Sequence, residues 1–226
     1  HALKLRKSVE LDVVGASTVV AELAGQKVAH LLLINDRDLS YAKLRFDERS
    51  IATLKTHLGK FDDALARALC WAAIWDMHRD AEISSADFIE IALNGLAGES
   101  DDAIVNIVLS QLTTSVEAYT KDANRSAARE KLADGLWALT TSSAPGSDLQ
   151  LLISRAFALN AHTEAQTANI RALLNGSAPG LKVDADLRWY FLIALTERGA
   201  TTKAELEAEL AKDNTTTGNL AYETCL

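Results

Sequence analysis

The chain has 226 residues and a formal net charge of −8, so it is long enough to bury a core of its own, and we expect neither a nucleic-acid partner nor a membrane surface. No apolar run is long enough to span a bilayer, and the first residues lack the pattern of a signal peptide. We therefore expect a cytoplasmic protein in which Cys70 and Cys225 are reduced, buried thiols.

Residues 1–47 have the pattern of β-strands. Apolar and charged residues alternate from Leu3 to Val13, and a period of two is typical of a strand with one buried face. Further short runs follow at residues 18–23, 28–34 and 41–46. A few short strands do not easily close a sandwich by themselves. We therefore predict that residues 1–47 are the remnant of a β-sandwich domain whose earlier strands lie upstream.

From residue 48 onward the apolar period changes to 3.6, which is typical of amphipathic helices. Capping residues, and Gly and Pro at the breaks, divide residues 48–226 into helices joined by short turns. Because short connections favour antiparallel neighbours, we predict a mainly α fold of the α-solenoid type, with stacked HEAT- or armadillo-like hairpins. The predicted helices cover residues 48–58, 62–79, 84–96, 101–119, 125–141, 147–161, 164–175, 185–198, 202–212 and a last turn or two from 218.

The predicted helix at 62–79 is apolar nearly all round, so we expect it to be buried on several sides. Trp71, Ile74 and Trp75 should dominate its contacts. We also expect the other two tryptophans, Trp137 and Trp189, to belong to the core.

The sequence contains no recognisable metal site. None of its five histidines is followed by Glu, so the H-E-x-x-H helix of a zinc peptidase is missing. His78 and Glu82 are four residues apart, but they straddle a predicted helix end, and we expect both at the surface. Asn35–Ser40 is similar to the start of a calcium loop, yet Tyr41 stands where such a loop needs Gly. We expect a turn held by Asx side chains there.

No other catalytic pattern is present. The phosphate-binding, dinucleotide-binding and nucleophile-elbow motifs do not occur. The acidic residues near the end of the chain are expected to form a solvated helix face; they are Glu205, Glu207, Glu209 and Asp213. We therefore predict that the chain alone is not an enzyme, with no catalytic residue, no metal ligand and no cofactor.

Four segments, in the right order, resemble the C-terminal part of actinobacterial-type aminopeptidase N, a zinc metallopeptidase of the gluzincin family. Asn35–Asp47 resembles its N-D-x-D-L-x-Y-A-K-x-R-x-D junction between a β-sandwich and the helical domain. Arg67–Trp71 with Trp75–Met77 resembles its R-A-L-C-W…W-D-M stretch. Asp186–Trp189 is similar to its D-L-R-W element, and Glu207–Gly218 is similar to its A-E-L-x-x-D-x-T-x-x-G segment.

The resemblance implies a non-catalytic domain that encloses a peptide chamber against the catalytic domain of the same polypeptide and gates access to it. Zinc and the catalytic motifs would lie in that other domain, so no site residue carries over. The chain starts at His1 instead of Met and stops early against the family pattern, which predicts an excised domain truncated at its C-terminus. The substrate-binding residues stay unknown: Arg188 is a weak candidate for holding a peptide carboxylate, and a structural ion pair is the favoured alternative.

The alternative interpretation of the sequence is an independent helical-repeat scaffold that binds protein partners. Its weakness is the β-type segment at 1–47, because a free scaffold has little reason to keep exposed strand edges.

Overall fold

The fold is given by a computed structural model that describes residues 3–226. Within these residues the protein is mainly helical. A 3₁₀ turn, Leu58–Lys60, follows the first helix, and a π-helical turn, Ser115–Tyr119, continues the fourth. The α-helices are α1 (Glu48–His57), α2 (Ala64–Arg79), α3 (Ser85–Leu96), α4 (Asp102–Thr114), α5 (Asp122–Ser142), α6 (Asp148–Asn160), α7 (Glu164–Leu174), α8 (Ala185–Thr196), α9 (Lys203–Leu210) and α10 (Thr216–Thr224).

The strand prediction for residues 1–47 is not confirmed in the part that the structure describes, residues 3–46; residues 1 and 2 lie outside it. That segment contains one isolated bridge, between Leu3 and Phe61, and a short 3₁₀ turn. Apolar alternation predicts a strand with one buried face, but a ladder needs a partner strand. The four predicted strands do not pair with each other, and Val19, for example, is 91% exposed.

The last part of this segment is fastened to the helices by hydrogen bonds. The Leu32 amide donates to Ser50 Oγ at 3.1 Å on α1, and the Phe46 amide donates to the sulfur of Met77 at 3.3 Å on α2. Arg45 Nε donates to Glu82 Oε1 at 2.7 Å. The chain therefore enters the helical region in a fixed direction before α1 begins.

The helix starts agree closely with the capping signals in the sequence. The side chains of Asp47, Ser84 and Asp101 accept hydrogen bonds from amides of the first turns of α1, α3 and α4, as predicted. The cap of α2 is one residue later than predicted, because Asp63 and not Asp62 accepts from the Leu65 amide.

The helices contact one another in two series. The odd-numbered helices α1, α3 and α5 touch in sequence, and so do the even-numbered helices α2, α4, α6, α8 and α10. The consecutive pairs α2–α3, α3–α4 and α5–α6 connect the two series, while α7 contacts α8 and α9 contacts α10. One continuous apolar core runs through the helices from Phe46 to Cys225.

The burial predicted for α2 is confirmed for two of its three large residues. Trp71 is 4% exposed and Ile74 is fully buried, whereas Trp75 is only partly buried. The helix is not enclosed all round, because Leu65 is 45% exposed. Trp75 packs instead in an aromatic cluster, with its ring 5.3 Å from that of Phe88.

Replacing Trp75 by Ala should lower the free energy of unfolding by about 3 kcal/mol, the lower end for a buried aromatic residue, because part of the ring already meets solvent. Urea unfolding of the 226-residue chain measures this. The matched control is Leu65→Ala on the same helix, which should cost less than about 1 kcal/mol. Equal losses in the two variants would show that the aromatic cluster contributes little.

Candidate functional site

Arg188, the candidate for substrate binding, lies on α8 and faces a glutamate of α9. Its Nε and Nη2 donate to the two carboxylate oxygens of Glu209 at 2.5 and 2.7 Å. Glu209 is buried, and Lys212 Nζ also donates to it at 3.2 Å. The bond to Arg188 lowers the pKa of Glu209 although burial opposes this. A peptide carboxylate would have to compete with Glu209 for the same guanidinium.

The residue after Arg188 is anchored in a similar way. The indole Nε1–H of Trp189 donates to Asp213 Oδ2 at 2.9 Å. One helix earlier, Arg171 on α7 donates to both carboxylate oxygens of Glu205. The end of the chain is therefore held to α7 and α8 by bonds from two arginines and one tryptophan to carboxylates.

The expectation that the acidic residues at the end of the chain form a solvated face is wrong for Glu209 and Asp213. Glu207 does stay exposed, 3.8 Å from Lys203. Glu205, Glu209 and Asp213 recur every fourth residue; the first two share one face of α9, and Asp213 follows the end of that helix. That spacing was a signal for a shared set of cationic and indole partners, but the partners lie in distant parts of the sequence.

A second cluster of the same kind lies deeper, between α2 and the start of α4. Glu99 has a fully buried side chain and accepts from Arg67 Nη2 at 3.0 Å. It also accepts from the indole Nε1–H of Trp71 at 3.0 Å. The backbone amides of Ser100 and Asp101 donate to the same carboxylate at 2.8 and 3.1 Å. We call Arg67, Trp71 and Glu99 the buried lock.

Hydrogen bonding decides the charge state of the buried lock. Burial by itself raises the pKa of Glu99, but the bonds from Arg67, Trp71 and the two amides outweigh it and leave the pKa below its ordinary value. Arg67 also donates to the carbonyl of Phe61 at 2.7 Å. The ion pair is therefore saturated by protein groups and offers no free atom to a substrate.

The position of His78 differs from the expectation that it lies at the surface. It was predicted at the surface with Glu82, but it is 3% exposed, at the end of α2. The chain turns back after the helix, where Ala81 has a φ of +62°. This turn brings the carbonyl of Ile83 to 3.1 Å from Nδ1 of the imidazole. Because a carbonyl only accepts, Nδ1 carries the proton.

The rest of the imidazole of His78 is enclosed by aromatic rings. Phe88 stacks on it at 4.8 Å, and Tyr119 and Trp75 lie 5.3 and 5.6 Å away. Within residues 3–226, Nε2 has no hydrogen-bond partner. Burial lowers the pKa of His78, against a smaller opposite effect of the bond to Ile83. The ring is therefore held neutral.

Within residues 3–226, metal-binding side chains are scattered and the Cys70 thiol is buried. Residues 3–226 contain no group of three or more His, Cys, Asp or Glu side chains that could hold a metal ion. Cys70 is fully buried, and burial raises its pKa to about 12, which keeps the thiol protonated and unreactive.

The comparison with known proteins identifies the family. The model of the ERAP1-like C-terminal domain matches residues 31–226. The chain belongs to this family. It is also 41% identical, over 212 residues, to aminopeptidase N of Streptomyces lividans. That alignment covers 93% of this chain but 25% of the relative, so the chain spans about a quarter of the relative's length.

These matches confirm that the chain is a C-terminal domain of the aminopeptidase N type. The motifs that carried the resemblance contain the residues of the two clusters: Arg67 and Trp71 in one, Arg188, Trp189 and Glu209 in the other. In this chain those residues hold helices together. Among residues 3–226, none of the helices has the length and hydropathy needed to cross a membrane.

Changing Glu99 to Gln should destabilise the domain by about 3 kcal/mol, because it leaves the buried guanidinium of Arg67 without a counter-charge. Chemical unfolding near neutral pH measures the loss. Glu207→Gln is the control and should change stability by less than about 1 kcal/mol, because its ion pair is exposed. Equal unfolding midpoints for the two variants would contradict the importance of the buried lock.

His78 should make stability depend on pH. Its folded-state pKa lies below the unfolded value of about 6.5, so below that pH the unfolded chain binds a proton that the folded chain refuses. Stability should therefore be complete above about pH 6.5 and fall as the pH is lowered. His78→Gln, which cannot titrate, should show a shallower fall between about pH 7 and pH 5. Parallel stability curves would exclude His78 as the cause.

Proposed function

We propose that this chain is the non-catalytic C-terminal domain of a zinc aminopeptidase that removes N-terminal residues from peptides. It encloses the peptide chamber on one side and gates access to it. The observation that carries the proposal is the extended match to an aminopeptidase N relative. The saturated Arg–Glu clusters support it, because they leave structural and not chemical work for these residues.

The partners in this proposal are the catalytic domain of the same polypeptide, which holds the zinc, and the peptide substrates. The parent enzyme would work in the cytoplasm. The apolar side chains of the segment before α1 are the natural contact with the rest of that polypeptide. They include Leu5, Val13, Val19 and Leu39, all largely exposed. We propose that this segment is the remnant of a β-sandwich, and that its strands form when their partner strands are present.

The helices would form an α-solenoid of the HEAT-like kind. The two series of contacts, odd with odd and even with even, are what stacked helical hairpins produce. A stack in which each hairpin contacts its neighbours has an extended concave face and an adjustable curvature. Such a face suits a chamber wall that opens and closes around peptides.

Arg188 stays the candidate for contact with a peptide carboxylate. The side chain is partly exposed, so a ligand could reach it, and Glu209 would have to share it. A role in substrate binding would appear as a raised KM for peptides in Arg188→Gln with unchanged stability. A purely structural pair would lower stability instead.

An independent helical scaffold that binds protein partners is the alternative. The many exposed apolar side chains of the segment before α1 disfavour it, since a free scaffold that exposes such a segment is prone to aggregation.

The chain alone should not hydrolyse an aminoacyl-arylamide such as leucine p-nitroanilide. The experiment compares it with the full-length parent enzyme at equal concentration, with and without added zinc. The expected result is release of p-nitroaniline by the parent only. Zinc-dependent hydrolysis by the purified chain would overturn the proposal that it is non-catalytic.

Enclosure and gating are tested on the parent enzyme. Two substrates with the same N-terminal residue are compared, a short peptide and a folded protein. The intact enzyme should act on the peptide and spare the folded protein. A variant lacking the region of residues 48–226 should lose that discrimination. Equal discrimination by both forms would contradict a chamber role.

A further inference from the structure

A small cleft between the start of α6 and the segment before α8 is lined by charged side chains that have no part in the proposed function. It has a volume of about 220 Å³. Two glycines close it on one side: a Cβ on Gly180, whose φ is +76°, would lie 2.6 Å from the backbone nitrogen of Gly146. The cleft is lined by Ser147, Asp148, Leu151 and Arg155 on one wall and Leu181, Lys182 and Asp184 on the other.

The side chain of Arg155 has incomplete hydrogen bonding, which is expected where a ligand binds. It is partly buried, and its Nε is enclosed without a hydrogen-bond partner among residues 3–226. Its guanidinium lies over the ring of Tyr190, 5.6 Å from the centroid. In contrast, Arg171 and Arg188, also partly buried, each bond a carboxylate. The enclosed Nε lacks an acceptor, and the two terminal nitrogens, which are not among the buried unpaired atoms, are the ones that a bound anion would meet.

The cleft also carries negative charge, and this decides the class of ligand. Asp148 lies two helical turns before Arg155, on the same face of α6, roughly 10 Å away along the axis. Neither Asp148 nor Lys182 has an ion-pair partner within the described chain. Asp184 uses one oxygen to cap α8, accepting from the Leu187 amide at 3.0 Å. Two cations and two carboxylates thus line the same cleft, so a simple anion would be attracted and repelled about equally.

We propose that this cleft binds a small zwitterion, a free amino acid with an apolar side chain. Its carboxylate would meet Arg155 and Lys182, and its ammonium group would meet Asp148 and Asp184. The apolar side chain would lie against Leu151 and Leu181, which also line the cleft. The volume suits so small a ligand, because it lies below the ~300 Å³ at which pockets for drug-sized molecules begin. Binding of the amino acid would not require the catalytic domain, since all these residues belong to this chain.

Titration of the 226-residue chain with L-leucine, followed by NMR of the backbone amides, tests the proposal. Leucine should shift the amides of residues 146–155 and 180–184. Leucinamide lacks the carboxylate and N-acetyl-leucine lacks the ammonium group, so each should bind at least about tenfold more weakly than leucine, since a charged hydrogen bond contributes more than one decade of affinity. No shift with leucine, or equal binding of inorganic phosphate, would overturn the proposal.

Two variants of the cleft and one control locate the binding. Arg155→Gln and Lys182→Gln should each weaken leucine binding, the first by at least about tenfold. Lys182 is exposed, so its variant keeps the test valid even if Arg155→Gln fails to fold. Arg79→Gln, an exposed arginine at the end of α2, should leave binding unchanged. Unchanged affinity in Lys182→Gln, or in a folded Arg155→Gln, would place leucine elsewhere and refute the assignment.

Discussion

The buried bond network of Arg67, Glu99 and Trp71 is the constraint on which the first half of the domain depends. A carboxylate with no exposed surface is tolerated only because it accepts from a guanidinium, an indole and two backbone amides. Those amides open the turn into α4, so the network fixes where α4 starts relative to α2. The aromatic cluster around His78 then closes the other end of α2 against the π-turn that follows α4.

The second half of the domain has a similar set of arginine, tryptophan and carboxylate hydrogen bonds, which lies closer to the surface. Arg188 and Trp189 on α8 bond Glu209 and Asp213, as Arg67 and Trp71 on α2 bond Glu99. In both places an arginine and a tryptophan on one helix donate to carboxylates of a later segment, to Glu99 alone in the first half and to two separate side chains in the second. Partial exposure makes the second set weaker and more easily rearranged. If the domain moves to gate a chamber, the junction of α8 with α9 is better suited to that motion than the junction of α2 with α4.

The structural features that could be predicted from the sequence are local ones, and those that depend on partners distant in the chain could not. The caps at Asp47, Ser84 and Asp101 were predictable because a capping side chain bonds an amide two or three residues away. The strands before α1 were not, because alternation does not reveal whether a partner strand is present. Glu99 lies in a loop, where a charged side chain is expected to be exposed. Its burial could not be predicted because its partner Arg67 is distant in sequence. His78 was misplaced for the same reason, since the chain that covers it arrives from α3 and the π-turn.

A double-mutant cycle between Arg67 and Glu99 tests most directly the claim that this ion pair holds the domain together. The free energies of unfolding of Arg67→Gln, Glu99→Gln and the double variant are compared with that of the unchanged chain. Removing either partner strands the other in the core, so the double variant should be more stable than the sum of the two losses predicts, by at least about 1 kcal/mol. Losses that add to within about 0.5 kcal/mol would mean that the two side chains act independently and would contradict the account.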